Sequence, residues 1–206
     1  MHPINRSAGF TIVETLVVLA ILAVGLKLGV PPVAAWLRAT KIQSANEFYA
    51  EGFRQARAEA IKHKASSRIV LTTNATSGQY DYQIDLCFPT PIVSCANAAS
   101  WSTTTAVANG DPEMAAGYKS VLRTSDKMPT TNVLTQTIEP AGADDVYYNS
   151  LGWVDTTFAP RIARLVLAPT GVDAQIPATA IAITLSGIAS KCRPGVALHD
   201  SRKCPQ

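Results

Sequence analysis

Between Phe10 and Val30 only Glu14 and Lys27 carry charge, and residues 16–26 form an unbroken apolar run. A helix over this stretch reaches across most of a bilayer core of about 30 Å. Glu14 is the anomaly. A carboxylate inside an apolar helix costs on the order of a few kcal/mol even on lenient scales, and it is usually kept because something pairs with it. The run therefore predicts a membrane helix over 10–32 whose acidic residue needs a partner. An ordinary secretory signal peptide is the plainer reading, with Arg6 as its positive end and Val33, Ala34 and Ala35 as a small-residue cleavage site. Such a core seldom carries a glutamate near its start. A lone anchor leaves the spacing of Gly9, Phe10 and Glu14 unexplained.

In those three residues the chain resembles the prepilin family, whose motif is a glycine, a cleavage point, a phenylalanine and a glutamate at the fifth position of the mature chain. The resemblance implies cutting between Gly9 and Phe10 by a prepilin peptidase, N-methylation of Phe10, and a membrane helix that later enters a filament. The charges agree with it. Cleavage frees an amine on Phe10, and in a helical stack that amine can lie beside Glu14 of a neighbour, pairing two charges that one subunit alone leaves unsatisfied. Pro31 and Pro32 lack the donor that a helix interior needs, so they predict a break or kink. Pilins are similar in carrying a helix-breaking proline at that place. Lys27 is less usual for the family and snorkels toward the interface.

From residue 34 to 64 the pattern becomes amphipathic, with Ala45, Tyr49, Phe53, Ala56 and Ala60 at spacings of three and four. That face is expected on a sheet, with Lys41, Glu51, Arg54, Arg57 and Glu59 toward solvent and Glu59 one turn from His63. After Ser67 the helical period stops. Strand-like runs follow at 68–73, 80–86, 118–124, 133–138, 162–167 and 180–186, separated by Gly, Pro, Asn and Asp. Residues 95–117, rich in Ala, Ser, Thr and Asn, read as an exposed loop anchored by Trp101, and Asp144 with Asp145 reads as a turn. The segment from Phe53 to Ile61 followed by Arg68 to Leu71, the run Arg164 to Gly171 and the run Ala180 to Leu185 resemble the GspH/FimT group of minor pilins and type II secretion pseudopilins.

The fold expected is α+β and pilin-like: a long N-terminal helix, transmembrane in its first half, packed on an antiparallel β-sheet domain. Its parts would be a cleaved leader at 1–9, a transmembrane and assembly helix at 10–32, an amphipathic helix at 33–66, and a periplasmic β-rich domain at 67–206. With 206 residues, one membrane helix and one domain account for the whole chain. All four cysteines lie beyond the membrane helix, which suits an oxidising compartment. Three connectivities are possible. Nearest-neighbour bridges, Cys87–Cys95 and Cys192–Cys204, are expected because each closes a local loop. No paired Cys-x-x-Cys exists and the histidines are scattered, so neither metal nor cofactor is expected.

The net charge of +3 by itself demands no anionic partner. Its distribution in the tail matters more. Lys191, Arg193, Arg202 and Lys203 gather around Cys192 and Cys204 against one acid, Asp200, and a closed loop of cations can grip phosphate. Some members of the GspH/FimT group capture DNA through a C-terminal Gly-Arg-x-Arg motif. Here Gly187 is followed by Ile188, so the arginine expected after glycine is missing. Catalysis is not expected. There is no phosphate loop or nucleophile elbow, and His199, Asp200 and Ser201 hold triad residue types only as sequence neighbours.

The resemblance implies a minor pilin or pseudopilin. It is held once across the bacterial inner membrane with a periplasmic C-terminal domain, then joins other pilins or pseudopilins in a type IV pilus or type II secretion pseudopilus, where it helps initiate or cap assembly at the tip. The alternative is a DNA-binding minor pilin that takes up extracellular DNA through the basic tail.

Overall fold

A computed structural model of the chain describes residues 9, 11–171, 176–197 and 199–205. Helix α1 runs Ile12–His63. The chain divides into two compact units, Met1–Thr40 and Lys41–Gln206.

In the first unit Thr11 caps the helix: its Oγ1 accepts the Glu14 amide at 3.2 Å, the usual way to satisfy a first-turn donor. The helical assignment continues through Pro31 and Pro32, each of which lacks the ladder donor and crowds the preceding turn. Among the described residues no helix is long and apolar enough to cross a membrane. The uncharged run between Glu14 and Lys27 is twelve residues, about 18 Å at helical rise, short of a core of about 30 Å.

In the second unit α1 behaves as its period predicts. Ala45, Tyr49, Phe53, Ala56 and Ala60 are all fully buried, and they share one core with Ile69, Ile84, Val146, Leu165 and Ile181 from the strands. Small residues let the helix approach closely. Ser67 Oγ donates to the Ala56 carbonyl at 2.6 Å, and a Cβ on Gly52 would meet the Tyr82 ring at 3.0 Å. The helix ends at Lys64, whose φ of 51° turns the chain out, while the Ala65 amide closes on Ala60.

Eight strands follow: β1 Ser66–Thr73, β2 Tyr80–Cys87, β3 Val121–Arg123, β4 Leu134–Glu139, β5 Asp145–Tyr148, β6 Arg164–Pro169, β7 Thr179–Ile183 and β8 Ala189–Cys192. They form two antiparallel sheets, ordered β3-β2-β1-β5 and β4-β6-β7-β8. The architecture is therefore a long helix followed by an antiparallel β domain, the class expected. Two strands escaped the sequence reading. Asp145 opens β5 instead of completing a turn with Asp144, and β8 lies in what read as tail. The stretch 95–117 is not uniformly exposed either, since Ser100, Trp101, Ser102, Ala108 and Asp111 are buried.

The outer face of the first sheet carries a layered cluster. Arg68 on β1 stands opposite Asp85 on β2 and Tyr147 on β5. Its Nε donates to Asp85 Oδ2 at 2.8 Å, and its guanidinium lies 4.7 Å from the centroid of the Trp101 ring. Trp101 is held from the other side by its Nε1–H on the Cys95 carbonyl at 2.9 Å, and Tyr147 stacks on Phe158 at 4.1 Å. The Cys87–Cys95 loop thus brings an aromatic side chain down onto a charged strand pair.

Candidate functional site

Gly9 is exposed and outside any element, and a Cβ placed on it would meet nothing within 4 Å. Phe10 and residues 1–8 lie outside the described residues, so the expected cleavage and methylation point is seen only from its glycine side. Two residues on, Thr11 starts the helix and Glu14 falls in its first turn. A carboxylate there also faces the positive end of the helix dipole. Thr11 and Glu14 have the spacing of a capping box, a local reason for the glutamate that the membrane reading overlooked. Glu14 is exposed, and no cation stands within ion-pair distance of it among the described residues. The apolar side chains around it stand exposed among the described residues, from Ile12 at 81 % to Val18 at 47 %.

The cysteines pair as Cys87–Cys95 and Cys192–Cys204, the nearest-neighbour arrangement. The second bridge lays the C-terminal segment on the outer face of β7, where Cys192 and Cys204 pack against Ala180, Ala182 and Val166. Arg193 and Lys203 form a parallel bridge there, and the Arg193 amide bonds the Arg202 carbonyl at 2.7 Å. The four tail cations do not act as one cluster. Lys191 reaches away to Glu47 on α1 and holds that carboxylate below its ordinary range. Arg202 grips Asp200 through Nε and Nη2 at 3.0 and 2.7 Å, and these bonds pull the Asp200 carboxyl down to about 2. Asp200 is thereby committed to Arg202, not to His199. Among the described residues no group of three or more His, Cys, Asp or Glu gathers to hold a metal.

Residues 4–26 match the family described as the prokaryotic N-terminal methylation motif. The chain carries that motif. The matched range includes Gly9, Phe10, Glu14 and the first turns of α1. No curated protein matches the chain. A crystal structure of the type IV minor pilin FimU from Pseudomonas aeruginosa is similar at 13 % identity over 73 % of this chain and 87 % of FimU, with a TM-score of 0.42. The methylation motif ends within the apolar run, and the β domain lies wholly beyond it.

Proposed function

We propose that the chain is a minor pilin or pseudopilin. It is cut between Gly9 and Phe10 by a prepilin peptidase, methylated on Phe10, and held by α1 in the bacterial inner membrane with its β domain in the periplasm. It then joins other pilins or pseudopilins to initiate or cap a type IV pilus or a type II secretion pseudopilus. The observation that carries this reading is an apolar helix, headed by a methylation motif, whose large apolar side chains stand exposed among the described residues. A helix apolar all round belongs inside something, either lipid or a bundle of like helices. In lipid the described run is short, so insertion relies on Lys27 snorkelling outward and on a partner for Glu14. In a filament the amine of a neighbour's Phe10 is that partner.

Coexpression with a prepilin peptidase and pilin subunits tests this. The mature protein should begin at a methylated Phe10. Glu14→Gln, which keeps the capping geometry but not the charge, should be processed and inserted yet left out of filaments. A mature chain beginning at Trp36, or Glu14→Gln filaments indistinguishable from wild type, would refute the reading. DNA capture is the weaker alternative, because Lys191 and Arg202 already hold Glu47 and Asp200.

A further inference from the structure

Two turns of the β domain meet the last turns of α1 and leave large apolar side chains bare. The first turn, Asn149 to Trp153, is tied by the Asn149 side chain, whose Oδ1 accepts the Leu151 and Trp153 amides at 3.0 and 3.1 Å. The second joins β7 to β8, and in it Thr184 and Ile188 bond through both backbone and Thr184 hydroxyl. Both turns are locked in place. Arg57 Nε donates to the Gly152 carbonyl at 3.0 Å, and Gly187, at φ +78°, sits so close that a Cβ on it would lie 1.9 Å from that carbonyl oxygen. Around this joint Ile61, Leu151, Trp153, Leu185 and Ile188 are 44 % to 66 % exposed. Soluble domains seldom display so many large apolar residues together without a use for them.

Part of this surface is concave, at Ile61 and Ile188, with Leu151, Trp153 and Leu185 beside it. Ile61, Ile188 and Ala58 line a groove of about 500 Å³ whose remaining walls include Arg54, Arg57 and Lys62, and none of its lining residues is acidic. Arg54 pairs with the exposed Glu51 at 3.1 Å, and Lys62, itself exposed, meets the part-buried Glu59 at 3.4 Å; the first is a surface pairing weak enough for a ligand carboxylate to compete with. A rigid, apolar groove with a cationic wall has low ordering cost and selects charge. We propose that it is the docking site for a segment of another protein that seats an apolar side chain in the groove and sets carboxylates against Arg54, Arg57 and Lys62. A second copy meeting it face to face would oppose like charges. The proposal stands apart from the assembly role and survives its failure.

The test uses the full chain in neutral-lipid nanodiscs and reads Trp153 emission, isolated by subtracting a Trp153→Phe variant. The probe is a short synthetic peptide of Phe, Leu and Glu, beside its counterpart with Lys in place of Glu. The acidic peptide should shift Trp153 emission to shorter wavelength, and the Lys peptide should bind at least about tenfold more weakly. Ile188→Ser and Lys62→Glu change exposed side chains, and each should weaken the acidic peptide on the order of tenfold while leaving the thermal transition in place. Equal affinity for the two peptides, or none for either, overturns the proposal. So does loss, in the same variants, of binding to phosphatidylserine vesicles or of self-association, which would assign the groove to lipid or to a second copy.

Discussion

Replacing Arg68 by alanine should be among the costliest changes at a half-exposed position of the β domain. Its partner Asp85 has a side chain only 1 % exposed, and apart from Arg68 its carboxylate receives Gln83 Nε2 at 2.7 Å. Removing the guanidinium leaves a buried charge with one neutral donor, which costs about 3–5 kcal/mol. The lost stacking on Trp101 adds on the order of 0.5–2 kcal/mol, but the two overlap and do not sum. The double variant Arg68→Ala with Asp85→Asn removes the charge too and should recover most of the loss. Urea denaturation at neutral pH, followed by near-ultraviolet circular dichroism, reads both variants. A loss below about 1 kcal/mol for the single variant, or a double variant that is no more stable than the single one, would refute the reasoning.

Three further outcomes follow from the same structure. Replacing Cys192 and Cys204 by alanine opens a loop with a sequence separation of 12 and should cost about 3 kcal/mol, read as a lower denaturation midpoint, with the C-terminal segment becoming protease-sensitive. Tyr148 is fully buried and its hydroxyl has no partner among the described residues, so Tyr148→Phe should stabilise the domain by about 1 kcal/mol or more, which the same denaturation assay measures. The Asp200 carboxyl should titrate near 2 by nuclear magnetic resonance. Because that value is depressed, the contact with Arg202 persists through the ordinary carboxylate range and is lost only as pH falls through about 2; Arg202→Ala should raise the titration only part of the way back, because the amide of residue 202 still donates to Asp200 Oδ1 at 2.8 Å.

What could be read in advance follows the range of the interactions. The buried face of α1 was legible because Ala45, Tyr49, Phe53, Ala56 and Ala60 repeat with the helical period, and five tertiary contacts then cost one pattern. β1, β2, β4, β6 and β7 were legible because β-rich runs lie between turn residues. β5 and β8 were not. Each is four residues long, too short for a period, and each is a strand only because a neighbour pairs with it, Ser67 to Val70 in one case and Ala180 to Ile183 in the other. Lys191 shows the same limit for charge. It looked like part of a basic tail because its partner, Glu47, stands 144 residues away.

Glu14 is the reverse case, in which a local cause and a distant one coincide. Its place three residues after Thr11 serves the start of the helix wherever that helix lies. A capping glutamate, however, works as well beside water as anywhere, and it does not account for the bare apolar side chains that follow from Leu16 to Leu26. Once those are covered by lipid or by other helices, the same carboxylate loses its water and becomes expensive. A glutamine would serve the cap without that cost. The choice of an ionised group at this position therefore argues for a cation supplied from outside the chain's own described residues, which is what a freed N-terminal amine on a neighbouring subunit would provide.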